Sequence, residues 1–502
     1  MAARNIRSQS SSEPHLPPGI EPEPGPFQGT RDSLGHYEIP DWFRDAKFGI
    51  WAHWGPQSAI EDGDWYARNM YIQGSPQYNY HVETYGHPSK FGFKDTIPAW
   101  KAQDFDPAGL IRLYKNAGAK YFFSMGVHHD NFDLWNSKYQ RWNSVKMGPH
   151  KDVVGAWRNA ARAEGLKFGV SEHLWITYKW FSVSHGHDES GPQRDIPYDG
   201  ANPEYAELYV KSDDIWRDLD WNESGIPEWW KHYWYLRIEH LVDQYEPDLL
   251  YSDGALPFED YGLALVAHHY NLNAKRNGGK TQAVYTSKRR EDAQRGICVL
   301  DVERGVVDKI WPQPWQTDTC IGDWHYKRGI QYKRPKTIID MLVDIVSKNG
   351  NLLLNFPLPA SGALDLEEQN ILAEITAWMQ INAEAIHGTR PWKMFGQGPG
   401  TETSAQNTQF NESKRKDLAA SDVRFTTKGQ TLYAFVMGWP DYKTSIAPLA
   451  LNTGLKVGKV SNVELLGFNG KLEWAQDERG LHIVVPPQKP CDYAVAFRVT
   501  GA

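Results

Sequence analysis

Between about Trp42 and Ile375, short apolar runs alternate with amphipathic stretches, and each apolar run closes on polar or ionisable residue types. This is the strand–helix rhythm of a parallel sheet, closed into a barrel or left open. The pattern predicts a first strand over Phe48 to His53. Asp106-Pro107 then caps a helix through Asn116 that Gly118 stops, because Asp satisfies free amides and Pro tolerates the first turn. A strand over Lys120 to Met125, a helix over Asp152 to Ala163 and a strand over Lys167 to Ser171 repeat the unit. After an irregular, Trp-rich stretch from Ile176 to Pro227 come a helix over Glu228 to Tyr245, a strand over Leu249 to Ser252, a helix over Glu259 to Lys275 and a strand over Gln282 to Thr286. A helix from Pro335 to Val346, a strand from Asn351 to Phe356 and a helix over about Leu366 to Ala385 complete this part.

The rhythm then changes. Gln430 to Met437, Asn462 to Leu466, Leu481 to Val485 and Tyr493 to Val499 alternate with period two and carry no helices between them, as antiparallel strands do. The expected architecture is α/β: a disordered or extended leader over residues 1–35, a (β/α)8-like (TIM-type) barrel over 36–390 and a C-terminal antiparallel β-sandwich over 391–502. No repeat of 20 to 50 residues is present, which argues against a solenoid or propeller.

Charge narrows the function. The 502 residues carry 54 Lys+Arg against 62 Asp+Glu, a formal charge of −8, with no basic stripe. That argues against a nucleic-acid partner. No apolar window is long enough to span a membrane. The residues before Phe27 lack the apolar run of an export signal. Localisation stays open, with a secreted or periplasmic protein whose signal peptide is absent from this chain as one expectation. Cys298, Cys320 and Cys491 form no zinc-type pair. Buried free thiols are expected, with a Cys298–Cys320 bridge as the alternative. The 22 Trp, 25 Tyr and 19 Phe exceed what a core requires. Amphipathic rings of this kind suit pockets for ligands with apolar faces, sugars among them.

Reactive groups in a parallel barrel collect at the carboxyl ends of strands. Here those ends supply His53, His128, His129, Asp130, Glu172, His173 and Asp253. Such a set could hold a divalent metal, but His128 and His129 are adjacent and on a strand would face opposite ways. Neither a metal nor any other cofactor is expected. The other chemistry is glycoside hydrolysis, which needs a carboxylate nucleophile or base and a carboxyl proton donor. Asp253, at the end of Leu249-Leu250-Tyr251-Ser252, is the first candidate. Glu303 is the best second, with Asp301 and Glu172 as rivals.

The runs Lys47 to Pro56, Asp64 to Tyr71, Tyr121 to Asp130 and Ser347 to Asn355 resemble the α-L-fucosidases of glycoside hydrolase family 29, over roughly Asp41 to Ala385. The resemblance implies a retaining exo-glycosidase that releases terminal α-L-fucose from fucosylated oligosaccharides or polysaccharides. Carried over by motif, Asp253 matches the nucleophile, and His53, His128 and His129 match histidines that contact fucose hydroxyls. Trp65 matches a rim aromatic. Asp64, Glu172, His173 and Tyr251 complete the candidate sugar contacts. Two positions depart from the family: Asp64 stands where many members have Glu, and Ser171-Glu172-His173 where a Tyr-Tyr-Ser run is common. One of Lys288, Arg289 and Arg290 stands where the family often places an Arg. A fucose-binding protein without catalysis and a metal-dependent hydrolase are the competing readings. Linkage, aglycone and oligomeric state are not legible.

Overall fold

The computed structural model describes residues 16–212, 214–401, 409–415, 417–452 and 454–501. Eight parallel strands form a closed barrel in chain order: β1 (Phe48–Ala52), β2 (Tyr121–Val127), β3 (Lys167–Glu172), β4 (Leu249–Ser252), β5 (Val284–Ser287), β6 (Val299–Asp301), β7 (Trp315–Cys320) and β8 (Gly350–Asn355). Pairing of β1 with both β2 and β8 closes the ring. Helices Pro107–Asn116, Val153–Ala163, Glu228–Tyr245, Asp260–Arg276 and Arg290–Gln294 follow β1 to β5 in turn. Pro335–Ser347 follows β7, and Leu366–Ile386 follows β8. The connection from β6 to β7, residues 302–314, contains no helix.

Local chemistry explains the boundaries. Asp106 and Asp152 accept from the amides of Gly109 and Gly155, and Asp365 forms a reciprocal cap with Glu368. Inside the barrel the Tyr121 hydroxyl donates to Gln316 Oε1 at 2.9 Å, and Gln316 Nε2 donates to Asp301 Oδ1 at 2.9 Å. These buried side chains fill the interior beneath the mouth, as in other packed barrels. Gly49 makes room for them: a Cβ there would lie 2.3 Å from the Tyr121 ring.

Most strands and helices lie within one or two residues of the sequence pattern. β6 and β7 do not follow from it. β6 has only three residues, and β7, Trp-Gln-Thr-Asp-Thr-Cys, is buried throughout although most of it is polar. Its polar groups satisfy one another inside: Thr317 Oγ1 donates to the carbonyls of Val302 and Gly305, and Gln316 bonds Tyr121 and Asp301.

The leader also differs from expectation. Residues 16–35 pack on the barrel, with Ile20 buried and a short helix at Arg31–Leu34. The Glu23 amide donates to His268 Nδ1 (3.0 Å) and the Phe27 amide to Asn271 Oδ1 (2.9 Å), so helix Asp260–Arg276 completes the strap's hydrogen bonding. Residues 1–15 of the expected leader lie outside the described residues.

Beyond the barrel, β9 (Arg390–Gln397), β10 (Val423–Lys428), β11 (Thr431–Val436), β13 (Asn462–Leu465) and β16 (Val495–Thr500) form a five-stranded antiparallel sheet. A second sheet holds β12 (Lys443–Ile446), β14 (Glu473–Asp477) and β15 (Gly480–Val484). Phe425, Leu432, Ile483 and Phe497 pack in the core of this sandwich. Trp378 Nε1 donates to the Ala494 carbonyl at 2.7 Å across the junction with the barrel. Buried Asp344 meets Lys348 (3.0 Å), Arg415 (3.2 Å) and Arg424 (2.6 Å) there. The three cysteines are free, so the Cys298–Cys320 bridge does not form. Among the described residues no helix is long and apolar enough to cross a membrane.

Candidate active site

A cavity of about 440 Å³ opens at the carboxyl ends of the barrel strands. β4 delivers Asp253 to it, with the Asp253 amide donating to the Glu172 carbonyl at 3.1 Å and Trp175 Nε1 donating to the Asp253 carbonyl. Gly254, at φ +121°, lets the chain turn away at once. The Asp253 carboxylate lies 3.5 Å from His129 Nε2 and 3.4 Å from His173 Nδ1, and it accepts from Lys288 and from the Tyr251 hydroxyl (3.3 Å). Burial pushes this acid up, but the Lys288 ammonium and His173 outweigh it and hold Asp253 well below the usual carboxylate range.

Glu303 enters from the β6–β7 connection and accepts from the same Lys288 Nζ. Burial is the leading cause that raises it to about 7, with the charges of Asp318 and Asp253 adding and Lys288 opposing. One cavity therefore holds an ionised acid and a protonated one near neutral pH. Lys288, just beyond β5, stays charged: burial lowers it, but the carboxylates around it raise it well above its ordinary value. Its neighbours are occupied elsewhere, Arg289 with Asp292 and Arg290 over the Trp311 ring.

Imidazoles line the same cavity, two of them, His129 and His173, against Asp253. His53 follows β1, and its ring lies 5.2 Å from His128, 5.1 Å from His173 and 5.0 Å from His325. Burial pushes His53 and His128 well down and His173 to about 4, so all three are neutral at pH 7. His128 and His129 do not face opposite ways as strand neighbours would. The β2–β3 register shifts between Met125 and Val127 and β2 ends at Val127, so both rings line the cavity, 4.5 Å apart.

Gln57 fixes one tautomer. Its Oε1 accepts from the Ala67 amide (3.4 Å), so its Nε2 donates to His128 Nδ1 (2.8 Å) and the His128 proton resides on Nε2. Asp64, the shortened position, accepts from His325 Nδ1 at 2.6 Å, and the buried Nε2 of His325 has no protein partner. His53, Asp64, His128 and His325, or His128, His129 and His173, lie close enough to hold a cation. The Gln57-set tautomer, however, presents N–H where a metal needs a lone pair. The N–H at His128 and the unpartnered Nε2 of His325 beside it suit sugar hydroxyls, which both give and accept.

Trp51, Trp65, Trp175, Trp221, Trp324 and Phe410 supply apolar wall. Of the residues expected from sequence, Asp253, Glu303, His53, Asp64, Trp65, His128, His129, His173 and Tyr251 all line this cavity. Glu172 does not. It is wholly buried behind the mouth, where its Oε2 accepts from Trp234 Nε1 (3.0 Å) and the Leu174 amide (2.9 Å). Asp301 likewise lies beneath the cavity, raised by burial to about 6, with Gln316 Nε2 donating to its Oδ1 at 2.9 Å. The sequence reading missed Gln57, Asp318, His325, Trp175, Trp221, Trp324 and Phe410. Asp318 is on the unrecognised β7 and His325 just beyond it, whereas nothing in the residues around Phe410 signals a site.

An ionised and a protonated carboxylic acid sharing one cation, in a cavity that also holds uncharged imidazoles, are equipped to cleave an acetal: the molecule is a glycoside hydrolase. Residues 19–384 match the alpha-L-fucosidase family profile and residues 415–500 that of the alpha-L-fucosidase C-terminal domain. The chain belongs to the α-L-fucosidase family. It is 27% identical to the tissue alpha-L-fucosidase of Bos taurus, covering 97% of this chain and 94% of that one. Its fold is similar to the crystal structure of Thermotoga maritima alpha-fucosidase (TM-score 0.72, 25% identity, 94% of this chain and 100% of that one). A structure of the Thermotoga maritima enzyme in complex with fucose is similar to the same extent of coverage, with TM-score 0.71 and 25% identity.

Proposed function

We propose that this enzyme removes terminal α-L-fucose from fucosylated oligosaccharides or polysaccharides with retention, Asp253 acting as nucleophile and Glu303 as general acid and base. The observation that carries the reading is the bridging ammonium. Lys288 Nζ contacts both carboxylates, so their nearest oxygens lie within about two hydrogen-bond lengths, at most roughly 6 Å. Retaining pairs stand about 5–5.5 Å apart and inverting pairs about 6.5–9.5 Å. Ionised Asp253 attacks the anomeric carbon while Glu303 gives its proton to the departing oxygen. Glu303, now a carboxylate, then takes a proton from the water that hydrolyses the fucosyl ester. The neutral rings of His53 and His128 offer hydrogen bonds to hydroxyls, His173 Nδ1 stays beside the Asp253 carboxylate, and the tryptophans face the C6 methyl and ring C–H groups.

Asp253→Asn should lower kcat by at least about 10⁴-fold, as removal of a reacting group does elsewhere, with cooperative thermal unfolding retained. Appreciable turnover by that variant would remove Asp253 from the role. Glu303→Ala should lose about 10²–10⁴-fold on a fucosylated oligosaccharide and far less on an activated aryl fucoside, with azide restoring turnover. Equal losses on both substrates would transfer the proton-donor role elsewhere. A sugar-binding protein without catalysis would release no chromophore from the aryl fucoside at all.

A further inference from the structure

The loop that carries Glu303 is the one barrel connection without a helix, among the described residues, and its support comes from β7 on one side and from the other domain on the other. Residues 409–412, between β9 and β10, run beside 303–306. The Phe410 amide donates to the Glu303 carbonyl at 2.8 Å and the Glu412 amide to the Arg304 carbonyl at 2.9 Å. Gln409 brackets the acid from both sides, its Oε1 accepting from the Glu303 amide and its Nε2 donating to the Asp301 carbonyl at 3.2 Å. Asn411, 2% exposed, exchanges two bonds with the Val306 backbone at 3.0 and 3.1 Å. That geometry makes Asn411 a brace for the loop. Glu412 accepts from Arg304 Nε (2.7 Å) and Thr319 Oγ1 (2.6 Å). Arg304 itself stands at φ +44°, a left-handed conformation that a non-glycine residue keeps only when its surroundings enforce it.

The same segment reaches the cavity. Phe410 is 59% exposed, yet it lines the cavity together with Glu303. A proton donor must meet the glycosidic oxygen, so the group beyond that oxygen lies on the Glu303 side of the pocket. An exposed ring there suits the C–H face of a pyranose.

We propose that the segment Gln409–Glu412, in the β9–β10 connection of the second domain, is a working part of the active site. Gln409 is a positioning residue that sets the Glu303 backbone, and Phe410 is the wall against which the leaving sugar rests. The inference rests on Glu303 being the proton donor, and the test separates the two. Wild type, Gln409→Met, Phe410→Ala and Glu303→Ala are compared on three donors: α-L-fucosyl fluoride, which needs no protonation; methyl α-L-fucoside, which needs protonation but has a minimal leaving group; and an α-L-fucosyl disaccharide.

Gln409→Met keeps side-chain volume but loses both hydrogen bonds. It should lower kcat/KM for the methyl fucoside and the disaccharide about 10- to 100-fold relative to the fluoride, the scale of an ångström misplacement, and displace the alkaline limb of the pH profile. Phe410→Ala should raise KM for the disaccharide about tenfold more than for the methyl fucoside. Equal loss by Gln409→Met on all three donors would overturn the positioning role and leave the segment structural. An unchanged disaccharide-to-methyl KM ratio in Phe410→Ala would overturn the leaving-group wall. If Glu303→Ala showed no preference for the fluoride, the acid assignment itself would fall, and the positioning role with it.

Discussion

Lys288 contacts two acids that the chemistry requires in opposite protonation states. Its charge lowers both, yet Glu303 remains near 7 because burial acts on it more strongly. The proposed mechanism needs Asp253 ionised and Glu303 protonated. Activity should therefore fall above about pH 7, as Glu303 loses its proton, and on the acid side only below the usual carboxylate range. Lys288→Met removes a charge that favours ionisation of both acids, so both limbs of the kcat/KM profile should move to higher pH. A shift to lower pH, or no shift, in that variant would contradict this account. At this scale the sequence is a good guide wherever a strand end announces a side chain, as at His53, His128 and Asp253. It does not distinguish Lys288 from Arg289 and Arg290. That choice is made by the end of β5 at Ser287 and by Asp292 and Trp311, which occupy the other two cations. It also over-reads Glu172, because a strand-end acid can turn behind the mouth to a tryptophan N–H instead of into the cavity.

Elements whose apolar pattern is strong were legible to the residue: helix Glu228–Tyr245 and strand β4 occupy the positions their sequences predict. β7 was illegible because the rule that buried strands are apolar fails where polar side chains pair with one another inside a barrel. The strap over residues 16–35 was misread for the converse reason: its Pro- and Glu-rich composition says little about stability when His268 and Asn271 supply the missing hydrogen bonds. The close approach of β1 to Tyr121 yields an element-level prediction. Gly49→Ala places a methyl group 2.3 Å from a ring packed on every side, and the overpacking should destabilise the protein by about 1–3 kcal/mol. Chemical denaturation would measure it, and an unchanged midpoint would mean that Tyr121 has room to move.

Across the whole molecule, the change from helix-linked strands to bare alternation marked the two domains, but nothing in the sequence foretold how they are joined. Asp344, on barrel helix Pro335–Ser347, is buried between Lys348 and two arginines of the second domain, and these cations hold it well below the usual carboxylate range against the effect of burial. Asp344→Ala leaves three cations around an empty site and should destabilise the protein by about 3–5 kcal/mol. Calorimetry should show a lowered transition; an unchanged Tm would mean that the junction is held by its apolar contacts alone. Under the catalytic mouth, finally, the hydrogen-bonded Tyr121, Gln316 and Asp301 stop the barrel like a cork. Nothing can pass through the barrel from one end to the other: whatever enters by the mouth has to leave by it, and a spent ligand and its successor take turns at one doorway.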